Sequence, residues 1–160
     1  MHDGAVRRMT QGFTLIELVV AMVVFAILLS QAIPLYQSMM GSMRARSAAE
    51  RALQDIQWAQ SQAIAHNASY TLYIMSNNYE WYITNQSGTV VRGMFVADFQ
   101  SAYPQVTLAA AGGALPGTTV TINSLGAPIP TGTYSVTFTP AAGARVWTLT
   151  ISPTGTGSIS

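Results

Sequence analysis

The chain has 160 residues, of which only 8% are charged, and its formal net charge is +1. All its side-chain cations other than histidine are arginine and it has no cysteine, which excludes disulfide staples, thiolate metal sites and a cysteine nucleophile. The length suits one folded domain plus an anchor, and charge this sparse supplies no basic field to steer nucleic acid.

Residues 1–12 form a short leader carrying Arg7 and Arg8. An apolar run occupies 13–33, and its single charged residue is Glu17. Its 21 residues would span about 30 Å as a helix, one hydrocarbon core. Leu, Val, Met, Phe, Ile and Ala occupy every helical face, which fits a buried core helix poorly. A secretory signal peptide expects a shorter apolar region followed by a cleavage site. A plain membrane anchor explains the length and the arginines that precede it, but not Glu17.

The string Gly12-Phe13-Thr14-Leu15-Ile16-Glu17-Leu18-Val19-Val20 resembles the prepilin motif of type IV pilins and type II secretion pseudopilins. The resemblance implies cleavage between Gly12 and Phe13 by a membrane prepilin peptidase, and N-methylation of Phe13. It also implies that the apolar helix stays on the mature protein, first as an anchor and then as the core of a helical filament. Glu17 is then an assembly residue. A carboxylate four positions after a new amino terminus lies one helical turn away. It can pair with its own terminus or with that of a neighbouring subunit, and the resemblance implies the latter. Pro34 ends the run, where the resemblance implies a kink or local melting rather than a stop. Loss of the leader would remove Arg7, Arg8 and Asp3, leaving five arginines against five acids.

Residues 42–66 read as an amphipathic helix. Ala49, Ala52, Leu53, Ile56, Ala59, Ala63 and Ile64 recur at three- and four-residue spacing. Small residues on this face let a sheet approach closely. Arg46–Glu50 and Arg51–Asp55 are i,i+4 pairs worth a few tenths of a kcal/mol each, and read as a solvated face ahead of the alternative, intersubunit pairing within a filament. His66-Asn67 ends the helix, with Asn67 suited to a left-handed residue.

Alternation predicts strands over 70–75, 79–84 and 89–96 as an antiparallel meander, with turns at Asn77-Asn78 and Gln86-Ser87-Gly88. Residues 98–111 give no clear pattern, and Gly112-Gly113 and Pro116-Gly117 punctuate the chain beyond them. Further strands are expected over 118–124, 134–139 and 146–152. The reading is six or seven short strands after one long helix, an α+β fold.

The helix over 48–66 with its segment Gln57-Trp58-Ala59-Gln60-Ser61-Gln62-Ala63-Ile64-Ala65, the strand starting at Tyr70, Thr121-Ile122-Asn123-Ser124-Leu125-Gly126 and Ser152-Pro153-Thr154-Gly155 resemble the H-type minor pseudopilins of type II secretion and the FimT-type minor pilins. The implied fold is pilin-like: a long N-terminal helix, half transmembrane and half amphipathic, packed on an antiparallel sheet or two-sheet β domain. The expected divisions are a leader (1–12), a membrane or filament-core helix (13–33), a helical stem (34–66) and a globular β domain (67–160).

No phosphate-binding glycine loop, metal-binding histidine pair or serine elbow is present, so no enzyme is expected. Glu50, Asp55, Glu80 and Asp98 lack the spacing of a calcium loop, and no cofactor or metal is implied. His66 reads as a helix-end residue. Trp81, Tyr82 and Trp147 have faces that stack on bases or sugars, but aromatics at strand spacing more often build a core. The tail 152–160 has no cation, which speaks against nucleic acid as a partner.

The leading expectation is a structural minor pseudopilin of a type II secretion pseudopilus. Its implied partners are prepilin peptidase, other pilin or pseudopilin subunits and the bacterial inner membrane. It would cross that membrane once, with a cytoplasmic N-terminus and a periplasmic C-terminal domain, before entering the pseudopilus. The alternatives are a FimT-like minor pilin of a type IV pilus, acting in assembly initiation or DNA uptake, and a membrane-anchored binding module.

Overall fold

The computed structural model describes residues 13–75, 79–111, 119–141 and 143–160. The expected leader, with Gly12, lies outside the described residues, as do the turn at Asn77-Asn78 and the punctuation at Gly112-Gly113 and Pro116-Gly117. The elements are α1 (Leu15–His66), β1 (Tyr70–Met75), β2 (Glu80–Thr84), β3 (Val90–Met94), α2 (Val96–Ala102), β4 (Thr107–Ala111), β5 (Thr119–Ile122), β6 (Pro128–Ile129), β7 (Tyr134–Thr139), β8 (Trp147–Ile151) and β9 (Gly157–Ile159). The chain divides into two compact units, one ending at Tyr36 and the other running Gln37–Ser160.

In the first unit every described residue of α1 is exposed. This stretch is long and apolar enough to cross a membrane, and none of its most apolar window is buried by the rest of the chain. Helical structure runs through Pro34, so the proline is not a stop.

In the second unit α1 buries a narrow stripe of Gly41, Ala45, Ala48, Ala52, Ile56, Ala59 and Ala63, with Ala49 beside it. Steps of three and four residues keep this stripe on one face. Its small side chains bring the helix backbone close to the sheets. Ile64, expected on the same face, is instead 59% exposed at the rim, against the turn at Gly126. The helix ends as expected. Asn67 is left-handed (φ 48°), and Ala68 N–H reaches back to Ala63 O while Asn67 N–H reaches Ile64 O, a Schellman termination.

Two antiparallel sheets complete this unit. One has the order β3-β2-β1-β5-β6 and the other β4-β7-β8-β9. The expected meander is β1 to β3, in the register Ile74↔Trp81 and Trp81↔Met94. Alternation sends Tyr70, Leu72, Ile74, Trp81, Ile83, Val120 and Ile122 of the first sheet into the core. Leu108, Tyr134, Val136, Phe138, Leu149 and Ile151 of the second do the same. Helix and both sheets meet around a void of only about 10 Å³, lined by apolar side chains from all three layers.

The structure revises the strand inventory. Among the described residues nine strands form: β4 lies in the stretch that gives no clear pattern, and β6 and β9 are two- and three-residue pieces too short to alternate visibly. The third strand ends at Met94, and residues expected to continue it turn into α2. Phe99 of α2 is fully buried, edge-on to Trp81 at 5.8 Å and beside Tyr103 at 5.4 Å. One buried aromatic per seven-residue helix leaves no period to read.

Three hairpin turns share one geometry. Asn85, Asn123 and Ser152 each open a five-residue turn whose fourth member, Gly88, Gly126 or Gly155, has φ between 79° and 87°. The opening side chain accepts the backbone N–H four residues on: 2.9 Å at Asn85, 2.9 Å at Asn123 and 3.0 Å at Ser152. Gln60 of α1 clamps two of these turns, donating Nε2–H to Gly126 O (3.2 Å) and Gly155 O (2.6 Å).

Candidate functional site

The segment predicted to carry processing and assembly opens α1. Phe13 is 88% exposed. Thr14 precedes the first helical residue, and Glu17 stands in the first turn. Thr14 donates both its backbone N–H (3.2 Å) and its hydroxyl (3.1 Å) to Glu17 Oε2, while Glu17 N–H donates to Thr14 Oγ1 at 3.3 Å. This is a capping box, which satisfies helix-end donors reciprocally and holds the carboxylate at the positive end of the helix dipole. The Glu17 carboxylate is thus held within the first turn by Thr14. Thr14 was not singled out in the sequence, although Thr-x-x-Glu ahead of an apolar run is the signal for it.

The charges on the stem do not all behave as a solvated face. Arg46–Glu50 does, with Nε 2.8 Å from Oε1 and both side chains about half exposed. Asp55 corrects the expectation: it is fully buried. Its Oδ2 accepts the Trp81 indole N–H at 2.9 Å, and its Oδ1 accepts Arg92 Nε–H at 2.5 Å. Arg51 Nε lies farther off, at 3.5 Å, and makes no hydrogen bond. Arg92 also lies over Trp58, 5.1 Å from the ring centroid. Burial of a carboxylate is tolerated because each oxygen is satisfied and a guanidinium compensates the charge. Nearby, burial pushes the Tyr103 hydroxyl above the usual tyrosine range, with Arg51 opposing the rise and Asp55 adding to it.

The three aromatics considered for stacking separate. Trp81 is core. Tyr82 lies on the outer face of its sheet, stacked on Tyr73 at 4.9 Å and on Phe95 at 6.4 Å. Trp147 is half-buried between two guanidinium groups, Arg145 at 4.3 Å and Arg46 at 5.3 Å. His66 closes the helix, its Nδ1 3.1 Å from Gln62 O. Among the described residues no group of three or more His, Asp or Glu side chains is placed to hold a metal.

A capped apolar helix that continues into an alanine-striped stem, with that stem packed on two antiparallel sheets, defines a pilin-like subunit. The family model for the type II transport protein GspH matches residues 48–155, and the prokaryotic N-terminal methylation motif matches residues 7–30. The chain belongs to the GspH family of pseudopilins and minor pilins.

Its fold is similar to that of the type IV minor pilin FimU of Pseudomonas aeruginosa. The TM-score is 0.58 at 17% identity, covering 72% of this chain and 87% of that one. It is equally similar to the minor pseudopilin EpsH of the type II secretion system of Vibrio cholerae. There the TM-score is 0.57 at 12% identity, covering 73% and 96%. No curated protein sequence matches significantly. The family is one of structural subunits that assemble with others of their kind and are processed by prepilin peptidase through the methylation motif.

Proposed function

We propose that this chain is a structural minor subunit of a type II secretion pseudopilus. The observation that carries the reading is the GspH match over the globular domain, coupled to a methylation motif on the apolar helix. In this reading residues 1–12 are a cytoplasmic leader. Prepilin peptidase cuts between Gly12 and Phe13 and methylates Phe13. Residues 13–33 anchor the chain in the inner membrane and later form filament core. Pro34 introduces a bend into the stem of residues 34–66, and the β domain, 67–160, is periplasmic.

Glu17 performs the assembly step. Thr14 holds its carboxylate at the helix start, where it pairs with the methylated amine of a neighbouring subunit. In a bilayer, two opposite charges left unpaired are far costlier than the pair. The pairing therefore sets the register at which a new subunit enters.

A second reading, a minor pilin of a type IV pilus, is favoured by the equal likeness to FimU. Deleting the gene and measuring both outputs separates the two. Loss of protein secretion with normal surface pili supports the pseudopilus, whereas loss of pili with normal secretion overturns it. Within either machine, Glu17→Ala should leave cleavage intact and reduce incorporation into filaments; unchanged incorporation refutes the assembly role.

A further inference from the structure

The cluster around Trp147 stands at the edge of the core, with the ring packed against it and the guanidinium groups outside. The indole is flanked by Arg145 and Arg46, and its N–H donates to Ser42 Oγ at 3.2 Å. Glu50 answers Arg46, but among the described residues Arg145 has no carboxylate partner. The cluster therefore holds one guanidinium group more than its carboxylate, beside an amphipathic ring, the combination that favours a membrane–water interface carrying negative charge.

Its position is fixed by the connection between β7 and β8. Ser38 donates its hydroxyl to Gly143 O at 2.8 Å. Gly41 is buried against the same connection, where an added Cβ would stand 3.4 Å from Ala144 Cβ and 3.5 Å from Pro140 Cβ. This connection, which leads into Arg145 and Trp147, is therefore held to Ser38.

Ser38 follows Ile33, the last residue of the apolar run, by five positions. Five residues reach at most about 18 Å even when fully extended. Headgroups occupy about 5–8 Å on each side of the hydrocarbon, and their charge is felt for about 8 Å beyond at physiological salt. The covalent tether alone thus keeps the cluster's anchor point close to the reach of a charged membrane surface.

The charge pattern adds a second argument. Arginine near a membrane span is concentrated on the cytoplasmic side in most proteins. Here Arg44, Arg46 and Arg51 come after the span, against Arg7 and Arg8 ahead of it. Arg51 is drawn toward the buried Asp55 and Arg46 pairs with Glu50, but Arg46 also lies over Trp147 beside the unpaired Arg145. Met39 and Met43, between Arg46 and the span, remain exposed at 58% and 52%.

We propose that Arg46, Arg145 and Trp147 dock the folded domain onto anionic phospholipid headgroups of the bilayer in which the apolar helix is anchored. The inference rests on that anchor reading. Docking would hold the domain against the membrane before assembly, and extraction into a filament would release it.

The chain has no native cysteine, so single labels are clean. A nitroxide is placed on exposed Ala141 through Ala141→Cys, and a control label on Leu125→Cys, 83% exposed in the turn clamped by Gln60. The full chain is reconstituted in nanodiscs of phosphatidylcholine alone or with phosphatidylglycerol, each doped with a nickel-chelating headgroup.

Relaxation of the Ala141 label should increase severalfold with phosphatidylglycerol, fall in high salt and fall in Arg46→Gln/Arg145→Gln, while the Leu125 label stays unchanged. Equal relaxation in the two lipid compositions overturns the proposal. So does a lipid effect that survives the double substitution, or one that appears only at more than one chain per disc, which would assign the cluster to a neighbouring subunit. A chain that fails to enter discs defeats the anchor reading and this proposal together, whereas entry without lipid dependence defeats this proposal alone.

Discussion

Trp81 in β2 donates its indole N–H to Asp55 in α1 across 2.9 Å, and both side chains are buried. This bond joins the stem to the first sheet. Its ring also contacts Phe99 of α2 and Phe138 of β7 edge-on. One residue thus ties together the helix, both sheets and the short helix of the second unit.

Asp55→Leu should therefore destabilise the compact unit by about 3–5 kcal/mol, since it leaves Arg92 and the Trp81 N–H without their acceptor in a dry environment. Arg51→Met should cost about 1 kcal/mol or less, because its 3.5 Å contact makes no hydrogen bond and its side chain as a whole stays 42% exposed. Guanidinium unfolding of the chain from Gln37 onward measures both. Equal losses would mean that the 3.5 Å contact of Arg51 counts as much as the hydrogen bonds.

The repeated turns yield a graded prediction. Gly88 has φ +79° but open space around it, so Gly88→Ala should cost about 1–2 kcal/mol from backbone strain alone. Gly155 has φ +87°, and an added Cβ would stand 2.6 Å from both Gln60 Nε2 and Gly126 O. Gly155→Ala must break the clamp as well and should lower the unfolding midpoint clearly more. Gln60→Ala should reproduce the clamp component without the strain, and Gly88→Asn should recover most of the loss at Gly88.

Tyr103 supplies the pH dependence. Its folded pKa is raised above 10.0, chiefly by burial. A raised pKa means that the neutral hydroxyl is favoured in the folded state. Its contribution is therefore complete below the unfolded value and is lost as pH rises through the folded one. Stability should hold toward pH 10 and then fall, with a shallower fall in Tyr103→Phe. Arg51→Met should move the tyrosinate absorbance transition of Tyr103 higher still, because Arg51 opposes the rise.

Much of this architecture was legible in local pattern. The alanine stripe, the turn glycines and the strand at Tyr134–Thr139 come from period and punctuation. Asp55 was misread because Arg51 stands four residues before it, the spacing of a solvated pair. Its decisive partner, Arg92, is 37 positions away in sequence. The cue lay in the stripe itself, since Asp55 falls between Ala52 and Ala59 on the buried face. β6, β9 and α2 were missed because their pairing or burial comes from distant chain rather than from their own few residues. At the start of α1 Glu17 stands out by its charge, whereas Thr14 shows its part only through the capping geometry.

The most direct test of the central claim is the intact mass and N-terminal sequence of the chain recovered from cells that contain prepilin peptidase. The account predicts a protein that begins at Phe13 with one methyl group on its amine, retains residues 13–33 and loses this processing in a Gly12 substitution. A protein that keeps residues 1–12, or that has been cut after the apolar run as a secretory signal would be, contradicts it.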